Sequence, residues 1–147
     1  MNTKNNSSRA DYNLDRFIDA QECIYPIALQ ELHEGRKHSH WMWYIFPQLK
    51  HLGHSYNSRF YGLSGKDEAA AYLADHVLGQ RLREVSDVIF NLPTNDAYEV
   101  LGSIDGMKLR SSMTLFDIVS PNDIFARVLD KYFNGQRDNR TLTIIQH

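Results

Sequence analysis

The sequence has little cysteine, little tryptophan and little net charge. The single cysteine, Cys23, excludes an internal disulfide and a metal site built on paired cysteines. A formal net charge of −2 gives no electrostatic case for a nucleic-acid binder, which usually presents a strongly basic stripe. The helical pattern around Cys23 predicts an unreactive, partly buried thiol.

Long apolar runs are also missing. No stretch approaches the ~18 apolar residues of a membrane span, and the polar residues 1–10 lack the apolar segment of a secretory signal. We therefore expect a cytoplasmic protein with no membrane partner and a disordered polar lead-in over residues 1–12. A chain of 147 residues that is 42% hydrophobic can bury a core, so residues 13–147 are predicted to form a single helical domain.

Apolar residues recur at helical spacing from residue 14 to residue 32. Pro26 interrupts this stripe and predicts a kink or two abutting helices, and Gly35 is expected to end it. Gln21 lies on the stripe, so its amide needs a buried partner. Ser39 is predicted to cap a short helix over residues 41–46.

Residues 48–64 lack a clear period and predict a long connection with at most one short turn of helix. Ser64 begins a capping-box pattern that opens the next helix, and another stripe runs over residues 78–92. Asn95 is expected to cap a short helix that ends at Gly102.

The last third of the chain predicts two more helices. Leu109, Met113 and Phe116 share one helical face, and Ser120-Pro121 marks the start of a helix that ends at Asn134-Gly135. Residues 141–146 are ambiguous between a strand and a last helical turn. The patterns together predict an all-α, compact single-domain bundle of about six helices.

The segment Gly35–Gln48 contains both tryptophans and a basic run. Arg36 and Lys37 precede a predicted helix N-terminus, an arrangement that suits an anion, and His40 could transfer a proton near neutral pH. Trp41 and Trp43 would project about 200° apart on a helix, so they cannot line one face together. Two interpretations stay open. One tryptophan is a core anchor bonded to a group such as Gln21, or the segment is the floor of a ligand site.

A second polar cluster covers residues 105–114. Lys108 and Ser112 lie four residues apart, which would allow a lysine-activated serine. The simpler interpretation is that Asp105 caps the helix or pairs with Lys108, while Ser112 bonds a backbone carbonyl one turn earlier. Zinc could use the spacing in His38-Ser39-His40 and in His51-Leu52-Gly53-His54. A site of four ligands with a second shell is a demanding arrangement, so no metal or cofactor is predicted.

Several motifs together resemble a known family. They are Ser39-His40-Trp41-Met42-Trp43-Tyr44-Ile45-Phe46-Pro47-Gln48, Ala28-Leu29-Gln30-Glu31-Leu32, and Ser111-Ser112-Met113-Thr114-Leu115-Phe116. On these the chain resembles a small bacterial and fungal domain family of unknown function, whose members are sometimes mislabelled calpastatin. The resemblance runs from Asp11 to Ile145 and implies a helical fold. It implies no activity, and true calpastatins are disordered, unlike this composition.

A second similarity links Glu68-Ala69, Gly79…Arg81-Leu82-Arg83 and Lys108…Met113…Phe116 to proteins that act on ADP-ribose derivatives or NAD-derived substrates. It implies a nucleotide-like ligand and, if the protein is an enzyme, hydrolysis of an N-glycosidic bond. The alternative is a non-catalytic protein-interaction module whose polar cluster is purely structural. For the first hypothesis the candidate catalytic residues are His40, Asp105 and Lys108, and the candidate ligand-binding residues are Arg36, Lys37, Trp41, Trp43, Gln48, Gln21 and Ser112.

Overall fold

Large apolar side chains at helical spacing form helices along most of the chain. The computed structural model describes residues 9–146. Within that range helices are the regular elements, and one isolated parallel β-bridge pairs Leu49 with Leu63. The predicted all-α class is therefore confirmed.

The helices are more numerous than the six or so predicted. From residue 15 onward they are α1 Asp15–His33, α2 Met42–Ile45, a 3₁₀ helix Lys50–Leu52, α3 Tyr56–Phe60, α4 Lys66–Ala74, α5 Leu78–Phe90, α6 Ala97–Leu101, α7 Ser103–Val119, α8 Ile124–Phe133 and α9 Asn139–Gln146. Of the predicted lead-in, residues 1–8 lie outside the described residues, while residues 9–12 are helical.

α1 runs unbroken through Pro26 rather than splitting into two helices. Proline cannot donate to the carbonyl of Glu22, and both residues are exposed, so water can satisfy that carbonyl. Gly35 ends the segment as predicted, with a φ of +78°. The N–H groups of Gly35 and Arg36 donate backward to the carbonyls of Leu32 and Glu31, each at 3.0 Å, which is the pairing of a glycine-terminated helix.

The segment 48–64, predicted as a long connection with at most one short turn of helix, has more regular structure than expected. It contains the 3₁₀ helix and α3, which begins with the Ser55 hydroxyl accepting from the Ser58 N–H at 3.2 Å. The Lys50 N–H donates to the Leu63 carbonyl at 2.8 Å and the Leu63 N–H to the Gln48 carbonyl at 2.9 Å. These short elements lack a full turn of apolar periodicity, which is why the pattern missed them.

Three predicted caps are wrong by a few residues. Asp96, not Asn95, caps α6 by accepting from the N–H groups of Tyr98 and Glu99. Asp123, not Ser120, caps α8, while Ser120 ends α7 and donates its hydroxyl to Asp123 at 2.8 Å. Ser39 does not cap α2, because its hydroxyl donates to Glu31 at 2.6 Å.

The capping box at α4 is half present. Glu68 accepts from the Ser64 N–H at 2.9 Å, but Gly65 occupies the N-cap position and no side chain caps the helix there. The ambiguous tail is helical: Asp138 accepts from the Thr141 N–H at 3.0 Å at the start of α9.

The core lies between α1, α5, α7 and α8, with α4 packed on α5 and α7, and α6 packed on α7. α7 supplies the predicted inward face at Leu109, Met113 and Phe116, all 0% exposed. Cys23 is exposed rather than partly buried, which corrects the expectation from the pattern. The largest side chains below 2% exposure are Trp41, Tyr72, Phe17, Phe46, Phe116 and Phe125.

Candidate functional site

The loop between α1 and α2 is organised by the carboxylate of Glu31, near the end of α1. Its Oε1 accepts from the N–H groups of His38 and Ser39, at 2.8 and 3.0 Å, and from the Trp41 indole at 2.9 Å. Its Oε2 accepts from the Ser39 hydroxyl. The four bonds hold residues 38–41 against the helix and thereby fix the positions of the flanking Lys37 and His40.

These bonds also set the protonation state of Glu31. Burial alone would raise the pKa of this carboxyl group. The hydrogen bonds from the Ser39 hydroxyl, the backbone of Ser39 and His38, and the Trp41 indole outweigh burial and lower the pKa to about 2. The group is therefore an anionic acceptor throughout the neutral range.

Trp41 is the core anchor of the two tryptophans. It is 0% exposed, and its indole partner is Glu31 rather than the predicted Gln21. Gln21 finds its partners elsewhere in the interior: its amide nitrogen donates to the Tyr44 carbonyl at 2.7 Å and to the Tyr72 hydroxyl at 3.1 Å. Arg81 completes the network by donating to the Gln21 oxygen at 3.1 Å.

α7 begins at an open glycine turn. Gly102 ends α6 and precedes α7 with a φ of +88°, a conformation that disfavours other residues. No side chain caps the first turn of α7, so its N–H groups are available to an external partner. This turn places Asp105 and Lys108 beside the α1–α2 loop.

Asp105 lies between two lysines. Its Oδ2 is 3.0 Å from the Nζ of Lys37, and its Oδ1 is 3.3 Å from the Nζ of Lys108. The predicted pairing with Lys108 is thus confirmed, and Lys37 joins it from the loop. The Lys37 side chain is only 9% exposed, and its backbone N–H donates to the Val100 carbonyl at 2.8 Å, so the loop is attached to α6 here.

The trio of Lys37, Asp105 and Lys108 lines a cavity of about 400 Å³. Trp43 forms one wall, with the Lys108 Nζ 3.5 Å from the ring centroid. His40 lines the same cavity. The structure therefore brings together Lys37, His40, Trp43, Asp105 and Lys108 from the residues selected on sequence.

A second cavity of about 290 Å³ adjoins the first, and Lys108 and Ile104 line both. Gln48 lies here rather than beside Trp43. Its other polar lining comes from Arg110, Ser111, Asp138 and Arg140.

The sequence profile of a family described as "Protein of unknown function (DUF1810)" matches residues 11–145. The chain belongs to the DUF1810 family. Among solved structures it is similar to a conserved hypothetical protein, Rv1873, from Mycobacterium tuberculosis, with 40% identity and a TM-score of 0.91. That match covers 93% of this chain and 99% of the other. No curated protein matches this chain.

The remaining candidate residues of this DUF1810 chain lie outside both cavities. Arg36 is exposed on the loop, and Trp41 and Gln21 are interior. Ser112 is 0% exposed and its hydroxyl has no hydrogen-bond partner in the described residues, so the predicted bond to the preceding turn is wrong. Ser111 and Thr114 form bonds of that type, to the carbonyls of Met107 and Arg110.

Sequence reasoning missed the residues at the α6–α7 junction. Leu101, Gly102, Ser103 and Ile104 all line the first cavity. The sequence pattern identifies Gly102 only as the end of a short helix. A glycine followed by serine, with an acidic residue two positions later, is also typical of a helix start. That signal would have placed Asp105 and Lys108 beside an open N-terminus.

Two absences apply to residues 9–146. No helix in that part of the chain is both long and apolar enough to cross a bilayer. Within the same range, no three histidine, cysteine or acidic side chains are grouped as metal ligands.

Proposed function

We propose that this protein binds a small anionic ligand of the nucleotide type in the cavity between the α1–α2 loop and the start of α7. The observation that carries the proposal is the ratio of charges in the cavity. Two ammonium groups, of Lys37 and Lys108, share the single carboxylate of Asp105. The trio therefore has an excess positive charge at the wall of an open cavity, and a phosphate would neutralise it.

The start of α7 adds to this preference for an anion. Its first N–H groups carry no side-chain cap, and the helix continues for 17 residues. Uncapped N–H groups and the positive end of the helix dipole both favour a negatively charged group. Gly102, without a side chain, leaves the approach to these groups open.

Trp43 offers an aromatic surface to the base of the proposed ligand. It is half-buried on the cavity wall, and the Lys108 ammonium contacts its face. Lys108 covers one face of the ring in the free protein, so a base would stack there once the ammonium moves onto the phosphate of the ligand.

A second candidate, hydrolysis of an N-glycosidic bond, is favoured by one observation. His40 lines the cavity that contains Asp105 and Lys108. Both carboxylate oxygens of Asp105 already face lysines, so His40 is the better placed of the two to activate water. Hydrolysis of ADP-ribose or NAD by the wild type would establish this activity, provided that His40→Ala abolishes the hydrolysis and still binds the ligand.

The interaction-module hypothesis predicts polar groups that only pair among themselves. Gln21 fits it, because all its bonds are internal. Ile104 and Met107, 70% and 65% exposed beside the cavities, are the apolar surface such a module would offer. Lys37, His40 and Lys108 do not fit it, since they converge on an open cavity.

A thermal-shift screen tests the proposal. The probes are ADP-ribose, NAD, ATP, nucleosides and sugar phosphates, each against the wild type and Lys108→Met. A ligand at about 100 times its dissociation constant adds ~2.7 kcal/mol of stability, or several degrees. We expect a shift with phosphate-bearing probes that Lys108→Met abolishes. Lys66→Met, which removes an exposed lysine outside both cavities, should retain it.

A screen in which no phosphate-bearing probe raises the melting temperature of the wild type would contradict the proposal. The interaction module would then be the better account.

A further inference from the structure

The second cavity carries positive charge that the protein does not neutralise. Arg110 and Arg140 both line it, and neither forms an ion pair with an acidic residue in the described part of the chain. The protein as a whole has a net charge of −2, so this concentration of cations is local. Cations left without carboxylate partners in a concave site favour an anionic ligand.

Arg110 leaves most of its side-chain hydrogen-bond donors without an acceptor in the described residues. Its Nε is buried without any hydrogen-bond partner among residues 9–146. One terminal nitrogen donates only weakly to the Arg137 carbonyl, at 3.3 Å. A buried N–H without an acceptor costs stability. Arg110 also lines the cavity with no carboxylate partner in the described residues, and an anion in the cavity would neutralise its charge.

The acidic residue of this cavity, Asp138, is already engaged. Its Oδ2 accepts from both the N–H and the hydroxyl of Thr141, at 3.0 and 2.6 Å, and so caps α9. Its charge is thus directed toward the start of α9. Arg140 remains exposed at the cavity with no hydrogen bond of its own in the described residues.

We infer that this cavity is a second anion subsite, which adjoins the first at Lys108 and Ile104, and that the ligand carries two anionic groups. The inference rests on the proposed function, because it extends the same site along α7. A nucleoside monophosphate carries one phosphate and can occupy only one of the two subsites. A nucleoside diphosphate derivative carries a second phosphate, which the arginines of the second cavity could bind.

The test compares a short and a long probe by titration calorimetry. AMP represents the first subsite alone, and ADP-ribose spans both. We expect the wild type to bind ADP-ribose at least tenfold more tightly than AMP. Arg140→Ala and Arg110→Gln should each weaken ADP-ribose binding at least fivefold and leave AMP binding within twofold.

Arg127→Ala is the matched control, since it removes an exposed arginine on α8 that lines neither cavity. It should leave both affinities unchanged. If Arg140→Ala and Arg110→Gln leave the preference for ADP-ribose intact, the second subsite is refuted while the first survives. If the wild type binds neither probe at millimolar concentration, the proposed function fails and the second subsite fails with it.

Discussion

The ammonium group of Lys108 lies 3.5 Å from the centroid of the Trp43 ring and 3.3 Å from the Asp105 carboxylate. One side chain thus connects the aromatic wall of the cavity with its charged trio. Lys37 makes the corresponding contact to Asp105 from the α1–α2 loop and lies 5.1 Å from the Trp41 ring. The two lysines join the loop to α7, and the cavity exists because both segments meet there.

The two tryptophans should respond differently to truncation. Trp41 is fully buried and bonded to Glu31, so Trp41→Ala should destabilise the fold by about 3–5 kcal/mol. Trp43 is half-buried on the cavity wall, so Trp43→Ala should cost about 1 kcal/mol and weaken nucleotide binding at least tenfold. Urea denaturation and calorimetry measure the two effects. If Trp43→Ala is unfolded, Trp43 is also a core anchor, and the proposed difference between the two tryptophans is wrong.

Removal of the Asp105 charge should make the protein depend on an external anion. Asp105→Asn leaves Lys37, whose side chain is 9% exposed, without its carboxylate. We expect a loss of about 1–3 kcal/mol in the free energy of unfolding. Because phosphate can replace the carboxylate, 50–100 mM phosphate (about 50 to 100 times a millimolar dissociation constant) should raise the melting temperature of Asp105→Asn more than that of the wild type.

The comparison uses sodium chloride at matched ionic strength. Asp87→Asn makes the same charge change on an exposed face of α5 and should show no specific phosphate effect. Equal responses of Asp105→Asn and the wild type to phosphate would argue against an anion site at this position.

Glu31 should give the protein an acid-sensitive component of stability. Its folded pKa of about 2 lies below its ordinary value of 4.5, so its contribution is fully present above pH 4.5. It is lost as the pH falls from about 4.5 toward 2, and amounts to at most roughly 3 kcal/mol. Glu31→Gln should be less stable than the wild type at pH 7, and the difference should be much smaller at pH 2.5. Urea denaturation across that range measures the difference, and a constant difference at every pH would refute the role assigned to Glu31.

The close packing of α4 on α5 depends on Gly79. A Cβ at this position would lie 1.9 Å from the Leu73 carbonyl oxygen, so Gly79→Ala must separate the two helices. We expect a cost of about 2 kcal/mol or more. Gly65→Ala is the control, because that position has open space and an extended backbone and should change stability by less than about 0.5 kcal/mol. Thermal or urea unfolding of both variants would show whether this contact matters.

Much of the fold was predictable because its signals are local. The positions of α4 and α5, the stop at Gly35 and the left-handed end of α8 at Asn134 follow from periodicity and turn chemistry. The errors arose where two local signals compete. Ser120-Pro121 has the composition of a helix start, yet Ser120 completes α7 and Asp123 supplies the cap.

The candidate site was predictable only in part because its partners are distant in sequence. Lys37 and Asp105 meet across 68 residues, and no periodicity specifies that contact. The role of Glu31 was not predicted, because an acidic residue near a helix end is ordinarily solvent-exposed. Its fourfold role follows from the fold of the loop over it.

The two indole N–H groups allow the most direct test of the central claim. In a ¹⁵N-resolved NMR spectrum, Trp41 and Trp43 are the only tryptophans and give two indole signals, which Trp43→Phe would assign. Titration with ADP-ribose should shift the Trp43 signal progressively and to saturation, while the Trp41 signal, bonded to Glu31 in the core, stays nearly constant. If millimolar ADP-ribose and ATP leave the Trp43 signal unmoved, the cavity beside Lys108 is not a nucleotide site.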